Sequence, residues 1–398
     1  MTLRVLLLWF SVVLLAQAAD YSGPIVITRG GTYRGNWQSN DPSIPAVLIS
    51  TAEPVAIEHS RLRSRGPLIA QDYPWVSGVS LTVRDVYAEG LNPMRTGLSN
   101  GRFLALQEPR AVLVENCELN NTGGIYILGF RGKGLEGRSI AIARNRVRNI
   151  DGRISDGAGG YVAGSERGRG FQMRQFVQLD KVIGIASIDI SWNEVINEPY
   201  RSRVEDNISI YLSSGTASSP IGIHDNYIQG AFAADPADRS YSGGGIMLGD
   251  DGSPADRSEP GYVHAYENQV VGSGNYGIAI AAGSNSVAEK NRVVSSGRLP
   301  DGRPFGSESL VGYYVWDYKP NVGKFENNIA RDNFSAVARV NRTTGQLEAS
   351  NYWLPDCKAG CSRNESSAVD STTEENEHRR WIEKVQRSGV AIGVRPKK

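Results

Sequence analysis

One unit recurs nine times between Val55 and Ala330, and that recurrence fixes how the chain can fold. In each copy two apolar residues alternate, and three positions after the second stands a marked residue followed by x-apolar. The clearest copies are Ile140-Ala141-Ile142 leading to Asn145-Arg146-Val147, Ile188-Asp189-Ile190 to Asn193-Glu194-Val195, and Ile221-Gly222-Ile223 to Asn226-Tyr227-Ile228. Asn268 and Asn291 follow in the same way. Ser60, Val86 and Cys117 hold the marked position earlier, Cys117 as a buried spacer, and Asn328 closes the series. Successive marked residues lie 23 to 48 apart. The short limit is one turn of a solenoid, and the excess is loop.

A third short strand, often introduced by glycine, precedes each pair: Phe103-Leu104-Ala105-Leu106, Ile125-Tyr126-Ile127, Phe171-Gln172-Met173, Ile208-Ser209-Ile210, Ile246-Met247-Leu248, Ile278-Ala279-Ile280 and Tyr313-Tyr314-Val315. Three period-two strands per turn, without helical periodicity between them, predict parallel pairing with the coils above and below. The expected fold is all-β: a right-handed, single-stranded parallel β-helix of about nine coils, with asparagine amides stacked at one bend. After about Gln346 the repeat stops. A helix is predicted over 373–385, acidic first and basic later, ending near Gly389, with Trp381, Ile382 and Val385 packing it on the last coil.

The first residues read Met1-Thr2-Leu3-Arg4, an apolar run from Val5 to Leu15, then Ala16-Gln17-Ala18. This is the pattern of a secretory signal cleaved after Ala18, too short for a membrane span. It divides the chain into a signal (1–18), a β-helix domain (19–346) and an extension (347–398), and places the mature protein outside the cytoplasm, secreted or periplasmic. There a local disulfide between Cys357 and Cys361 is expected. Lys+Arg total 43 against 42 Asp+Glu, a net charge of +1 that excludes a sequence-blind nucleic-acid binder. Hydrophobic residues at 40% and charged residues at 21% exclude wholesale disorder and a multi-span membrane protein. A monomer is expected.

The repeat from about Ile25 to Val340, with its opening Ile27-Thr28-Arg29-Gly30-Gly31-Thr32-Tyr33-Arg34-Gly35, resembles the pectate-lyase-like β-helix superfamily. In that superfamily, loops wall a groove over the glycine-led sheet, where polysaccharide binds. Here the insertions 148–170, 196–206, 229–244 and 294–310 all fall before the glycine-led strand.

Aligning those strands gives two outward rows: Ala105, Tyr126, Gln172, Ser209, Met247, Ala279, Tyr314, then Gln107, Leu128, Arg174, Tyr211, Gly249, Ala281, Trp316. Small residues at Gly249, Ala279 and Ala281 form a trough between Tyr126 and Tyr211 on one side and Tyr314 and Trp316 on the other, with Gln172 and Ser209 as further sugar contacts. Arg174, Tyr211 and Asp250 lie on consecutive coils. For elimination on a uronate polymer, Arg174 serves as base or charge neutraliser and Tyr211 as proton donor. Asp250 and Asp251 offer oxygen ligands for calcium. Gly249-Asp250-Asp251 also resembles the Asp-Asp element of polygalacturonases, but their Gly-His-Gly and Arg-Ile-Lys elements are missing. The other hydrolytic carboxylate, Asp206, falls six residues along from Asp250, about 20 Å. The expectation is an exported carbohydrate-active protein acting on a polysaccharide or surface glycan, a polysaccharide lyase or related enzyme. An inverting glycoside hydrolase and a non-catalytic envelope protein that binds glycan or scaffolds are the alternatives.

Overall fold

A computed structural model describes residues 20–395 apart from 133–136, 164–169, 251–259, 308, 321–322 and 342. The signal segment and Asp251 lie outside the described residues. Three sheets of 11, 10 and 12 strands run the length of the chain, and each strand pairs in parallel with its equivalents in the neighbouring coils, apart from Leu347–Ala349, which closes the third sheet antiparallel to Phe334–Val340. The fold is the expected right-handed parallel β-helix, with more coils than the nine sequence copies because the first and last turns lack the motif.

The first sheet contains Ile125–Leu128, Val177–Asp180, Ile208–Tyr211, Ile246–Asp250, Tyr276–Ile280 and Val311–Val315. Their inward residues, among them Ile125, Ile127, Val177, Leu179, Ile208, Ile210, Ile246 and Leu248, are wholly buried and stack on one another along the axis. Alternate side chains therefore face outward, where the site is built.

The bend between the second and third sheets explains the repeated asparagine. Immediately before it, a non-glycine residue takes the left-handed conformation, with φ between 51° and 59° at Arg144, Trp192, Asp225, Glu267, Lys290 and Asp332. Such a residue costs about 1–3 kcal/mol. The asparagine that follows offsets the cost through its amide: Asn145 Nδ2 donates to Asn193 Oδ1 and Asn193 Nδ2 to Asn226 Oδ1, each at 2.9 Å. The chain of amides continues through Asn268, Asn291 and Asn333 to Asn364. Asn328 is not part of it. Its amide serves a different bend, accepting from Ser286 N and donating to Gly283 O. Cys117 stands in register at the start of the ladder, buried, its N–H donating to Asn145 Oδ1.

Strand pairing also continues past Gln346. Tyr352–Trp353 adds an eleventh strand to the first sheet, and Glu365–Ser366 pairs with the third. The expected Cys357–Cys361 disulfide is formed, and Cys361 Sγ accepts from Ala330 N, which holds this segment on the last coil.

The helix spans Ser371–Ser388, closed by an Asp370/Thr373 capping box and by Gly389 in the left-handed conformation. It does not cover the last coil. It lies across the third sheet, with Trp381 buried against Trp192 and Tyr227 and donating to Glu194 Oε2, while Ile382 stays exposed. Glu377 pairs with Arg292 and Lys384 with Asp225. The tail then runs back along the axis: Asn116 Nδ2 donates to Ala391 O, Gly393 N to Arg144 O, and Arg395 pairs with Asp85. No described helix is long and apolar enough to cross a membrane.

Candidate active site

The register of the first sheet changes which residues share its outer face. The strand between Ile125–Leu128 and Ile208–Tyr211 is Val177–Asp180, not Phe171-Gln172-Met173. The first outward row is therefore Tyr126, Gln178, Ser209, Met247, Ala279, Tyr314 and Trp353. A bulge after Ser209 puts Asp250, not Gly249, opposite Tyr211. The second row then reads Leu128, Asp180, Tyr211, Asp250. Asp180 holds the place expected for Arg174, so Arg174, Tyr211 and Asp250 do not form the expected row. Tyr126 O–H donates to Asp180 Oδ2 at 2.7 Å. Ser209 is buried beneath its neighbours, too enclosed for a sugar contact.

Over the upper coils of this face lies a groove of about 930 Å³. Met247, Ala281 and Tyr276 floor it, and together with Ala279 they form a small apolar cluster outside the solenoid core. Rings form one wall: Tyr314, Trp316, Tyr318 and Trp353. The Trp316 and Trp353 ring centroids lie 4.8 Å apart, and those of Trp316 and Tyr318 5.2 Å. Trp353 and Tyr318 are about half exposed. Such rings offer flat apolar faces of the kind sugars stack on. Tyr314 and Trp316 line this groove; Tyr126 and Tyr211 do not.

Glu205, Asp206 and Asp250 enter from the opposite side. Asp206 is buried at the turn before Ile208–Tyr211, and two donors meet its Oδ1: the Tyr276 O–H and, at 3.1 Å, Gly244 N. Tyr276 reaches it only because Gly244 has no side chain; a Cβ there would come within 2.6 Å of the Tyr276 ring. Burial, then the charge of Glu205 and that of Asp250, raise the Asp206 pKa to about 8, against the opposing pull of the two hydrogen bonds. Burial also raises Tyr276 well above the usual tyrosine value, so it remains a donor. Glu205 is held by Arg203, a wholly buried guanidinium stacked on Phe171.

Asp206 and Asp250 are closer than the sequence alignment implies, because the bulge removes a residue between them and both side chains open on one groove. Five residues of strand span about 16 Å between Cα atoms, and both residues line the groove, where the Asp250 charge contributes to raising the Asp206 pKa. The structure thus joins a buried carboxyl of raised pKa, a second carboxylate and an aromatic wall. Sequence reasoning missed the first as an acid, since its partners Gly244 and Tyr276 lie 38 and 70 residues away.

Among the described residues no group of three or more His, Cys, Asp or Glu is arranged to hold a metal ion. Comparison with protein-family models, with curated proteins and with solved structures finds no match.

Proposed function

We propose that the protein is an exported glycan-cleaving enzyme that hydrolyses a glycosidic bond in the groove over the first sheet. The observation that carries the proposal is the placement of Asp206, a buried carboxyl that opens on a groove walled by four aromatic rings, where burial and the charges of Glu205 and Asp250 raise its pKa. Hydrolysis of a glycosidic bond needs one carboxylic acid to protonate the leaving oxygen and one carboxylate to activate water. Asp206 supplies the proton, and its Oδ2 is left for the groove because both hydrogen bonds end on Oδ1. Asp250 takes the proton from the attacking water. Inversion of the anomeric centre is the proposed outcome, with the attacking water between the two carboxylates. Tyr314, Trp316, Tyr318 and Trp353 stack the sugars.

Elimination by a lyase, the leading expectation from sequence, needs Arg174 beside Tyr211 and Asp250. Arg174 stands before the strand and points toward Gly123 instead. The likeness to the pectate-lyase-like superfamily and the signal segment support action on an extracellular polysaccharide. In this reading calcium has no part in the chemistry.

The test is incubation with pectate, alginate, glycosaminoglycan and neutral glycans, read for new reducing ends and for the absorbance of unsaturated uronates. Hydrolysis gives reducing ends alone, and Asp206→Asn lowers the rate by about 10²- to 10⁴-fold, the contribution of a general acid. Unsaturated products would replace hydrolysis by elimination. No cleavage of any glycan would leave a binding protein.

A further inference from the structure

Two arginines near the groove are held in a way that the fold does not require. Arg102 lies just before the strand Leu104–Gln107, its guanidinium 4.6 Å over the ring of Tyr126. Its hydrogen bonds go to neutral acceptors, Gly123 O and Gln178 Oε1, both at 3.4 Å. Arg174 donates from Nη2 to Gln172 Oε1 at 2.6 Å and from Nη1 to Met173 O, while its Nε is buried with no acceptor. Ser99 Oγ fixes Gln172 from the other side. Glycine clears the space: a Cβ at Gly123 would lie 2.8 Å from Arg174 Cδ and Nε.

Neither arginine forms an ion pair among the described residues. The carboxylate that acts on Arg102, Asp180, accepts from Tyr126 on Oδ2, while its Oδ1 is buried without a hydrogen-bond partner. Burial lowers Arg174 toward about 10 and, with the repulsion of Arg174, lowers Arg102 to about 9, against the smaller pull of Tyr126 and Asp180. Partly buried guanidiniums that repel each other and find only neutral acceptors are costly, and a planar fork is suited to a planar or tetrahedral oxyanion.

We infer that Arg102 and Arg174 form a receptor for an oxyanion carried by the glycan, a carboxylate or a sulfate ester, a short distance along the sheet from the cleaved bond. The distance follows from the register. Arg102 and Asp206 each stand two residues before paired strands, three strand spacings apart, about 14 Å. The backbone of Arg174 touches that of Glu205, the residue before Asp206. The site therefore grips the chain to one side of the acid. This inference rests on reading the groove as a glycan site, and it names the class of glycan: acidic.

The experiment measures binding to Asp206→Asn, which does not consume the ligand, by calorimetry at fixed ionic strength. The probes are a galacturonate tetrasaccharide, a chondroitin sulfate tetrasaccharide, cellotetraose and inorganic sulfate. At least one acidic tetrasaccharide is expected to bind tenfold or more tighter than cellotetraose. Adding Arg102→Gln or Arg174→Gln removes that advantage and leaves cellotetraose unchanged, and Arg174→Lys restores part of it, which a merely structural role would not do. Equal binding of acidic and neutral probes, or an acidic preference untouched by both glutamine variants, overturns the inference. So does sulfate bound by the arginines without preference among the tetrasaccharides, which would make the pair a site for a free anion. The two readings fail separately. A neutral glycan hydrolysed regardless of the arginines defeats only this inference, whereas an acidic glycan gripped by them but never cut defeats only the hydrolase.

Discussion

Replacing Asp206 by asparagine is expected to stop turnover and, in the same molecule, to raise stability at neutral and alkaline pH. An unfolded aspartate titrates near 3.9; burial, with the charges of Glu205 and Asp250, pushes Asp206 in the folded protein up to about 8. Below about pH 4 both states carry the proton and the group is indifferent to folding. Above it the unfolded chain ionises and the folded one does not, so stability is lost steadily until the pH passes the folded value, and the loss is then constant. Between pH 5 and 8 this amounts to about three units at 1.36 kcal/mol each, about 4 kcal/mol. Asparagine does not titrate, and its Oδ1 can accept the same Tyr276 and Gly244 bonds. Local relaxation and entering water trim the figure, and a gain of at least about 2 kcal/mol relative to wild type is expected over that interval. Urea unfolding of both proteins at pH 5 and pH 8 measures it. A difference between them that is the same at the two pH values would refute the reasoning, for it would mean that Asp206 ionises in the folded protein as readily as in the unfolded chain.

Gly244→Ala places a methyl against the Tyr276 ring; kcat is expected to fall at least tenfold with the circular dichroism spectrum unchanged, and a fully active variant would separate Tyr276 from the chemistry. Trp353→Ala removes an exposed ring that touches Trp316 and Tyr314, so KM for the cleaved glycan rises about tenfold with kcat little altered; an unchanged KM would exclude Trp353 from the binding wall. Asn226→Ala breaks four hydrogen bonds in the ladder, two accepted from Asn193 and two donated to Ile190 O and Asn268 Oδ1. At about 1 kcal/mol each, with buried groups left unpaired, the loss is about 4 kcal/mol in urea unfolding, and less than about 1.5 kcal/mol would show that the amides merely occupy the bend.

The ladder was legible because each asparagine stands at a fixed offset from a pair of alternating apolar residues, a local pattern that insertions elsewhere do not disturb. The third strand was less so. Phe171-Gln172-Met173 and Val177-Gln178-Leu179-Asp180 both alternate, and only pairing with Ile125–Leu128 chooses the second. That choice moved Arg174 off the sheet and put Asp180 on it. Asn328 misled for the same reason, since Asn333 follows five residues later and the amide partners decide between them. Trp353 lies after the motif has faded, so only hydrogen bonding to Tyr314 reveals its strand. The acidity of Asp206 has no local signature at all. It comes from being enclosed beside Glu205, with donors brought from two later coils.

The backward-running tail gives this solenoid something that nearest-neighbour stacking cannot. A chain of coils that touch only their neighbours can peel from either tip, one rung at a time. Here the terminal segment crosses from the rung of Arg292 to that of Asp85, 310 residues before Arg395, like a batten nailed over adjoining planks. The rungs between those two points must come apart together or not at all, and the acid-bearing turn at Asp206 lies within that span.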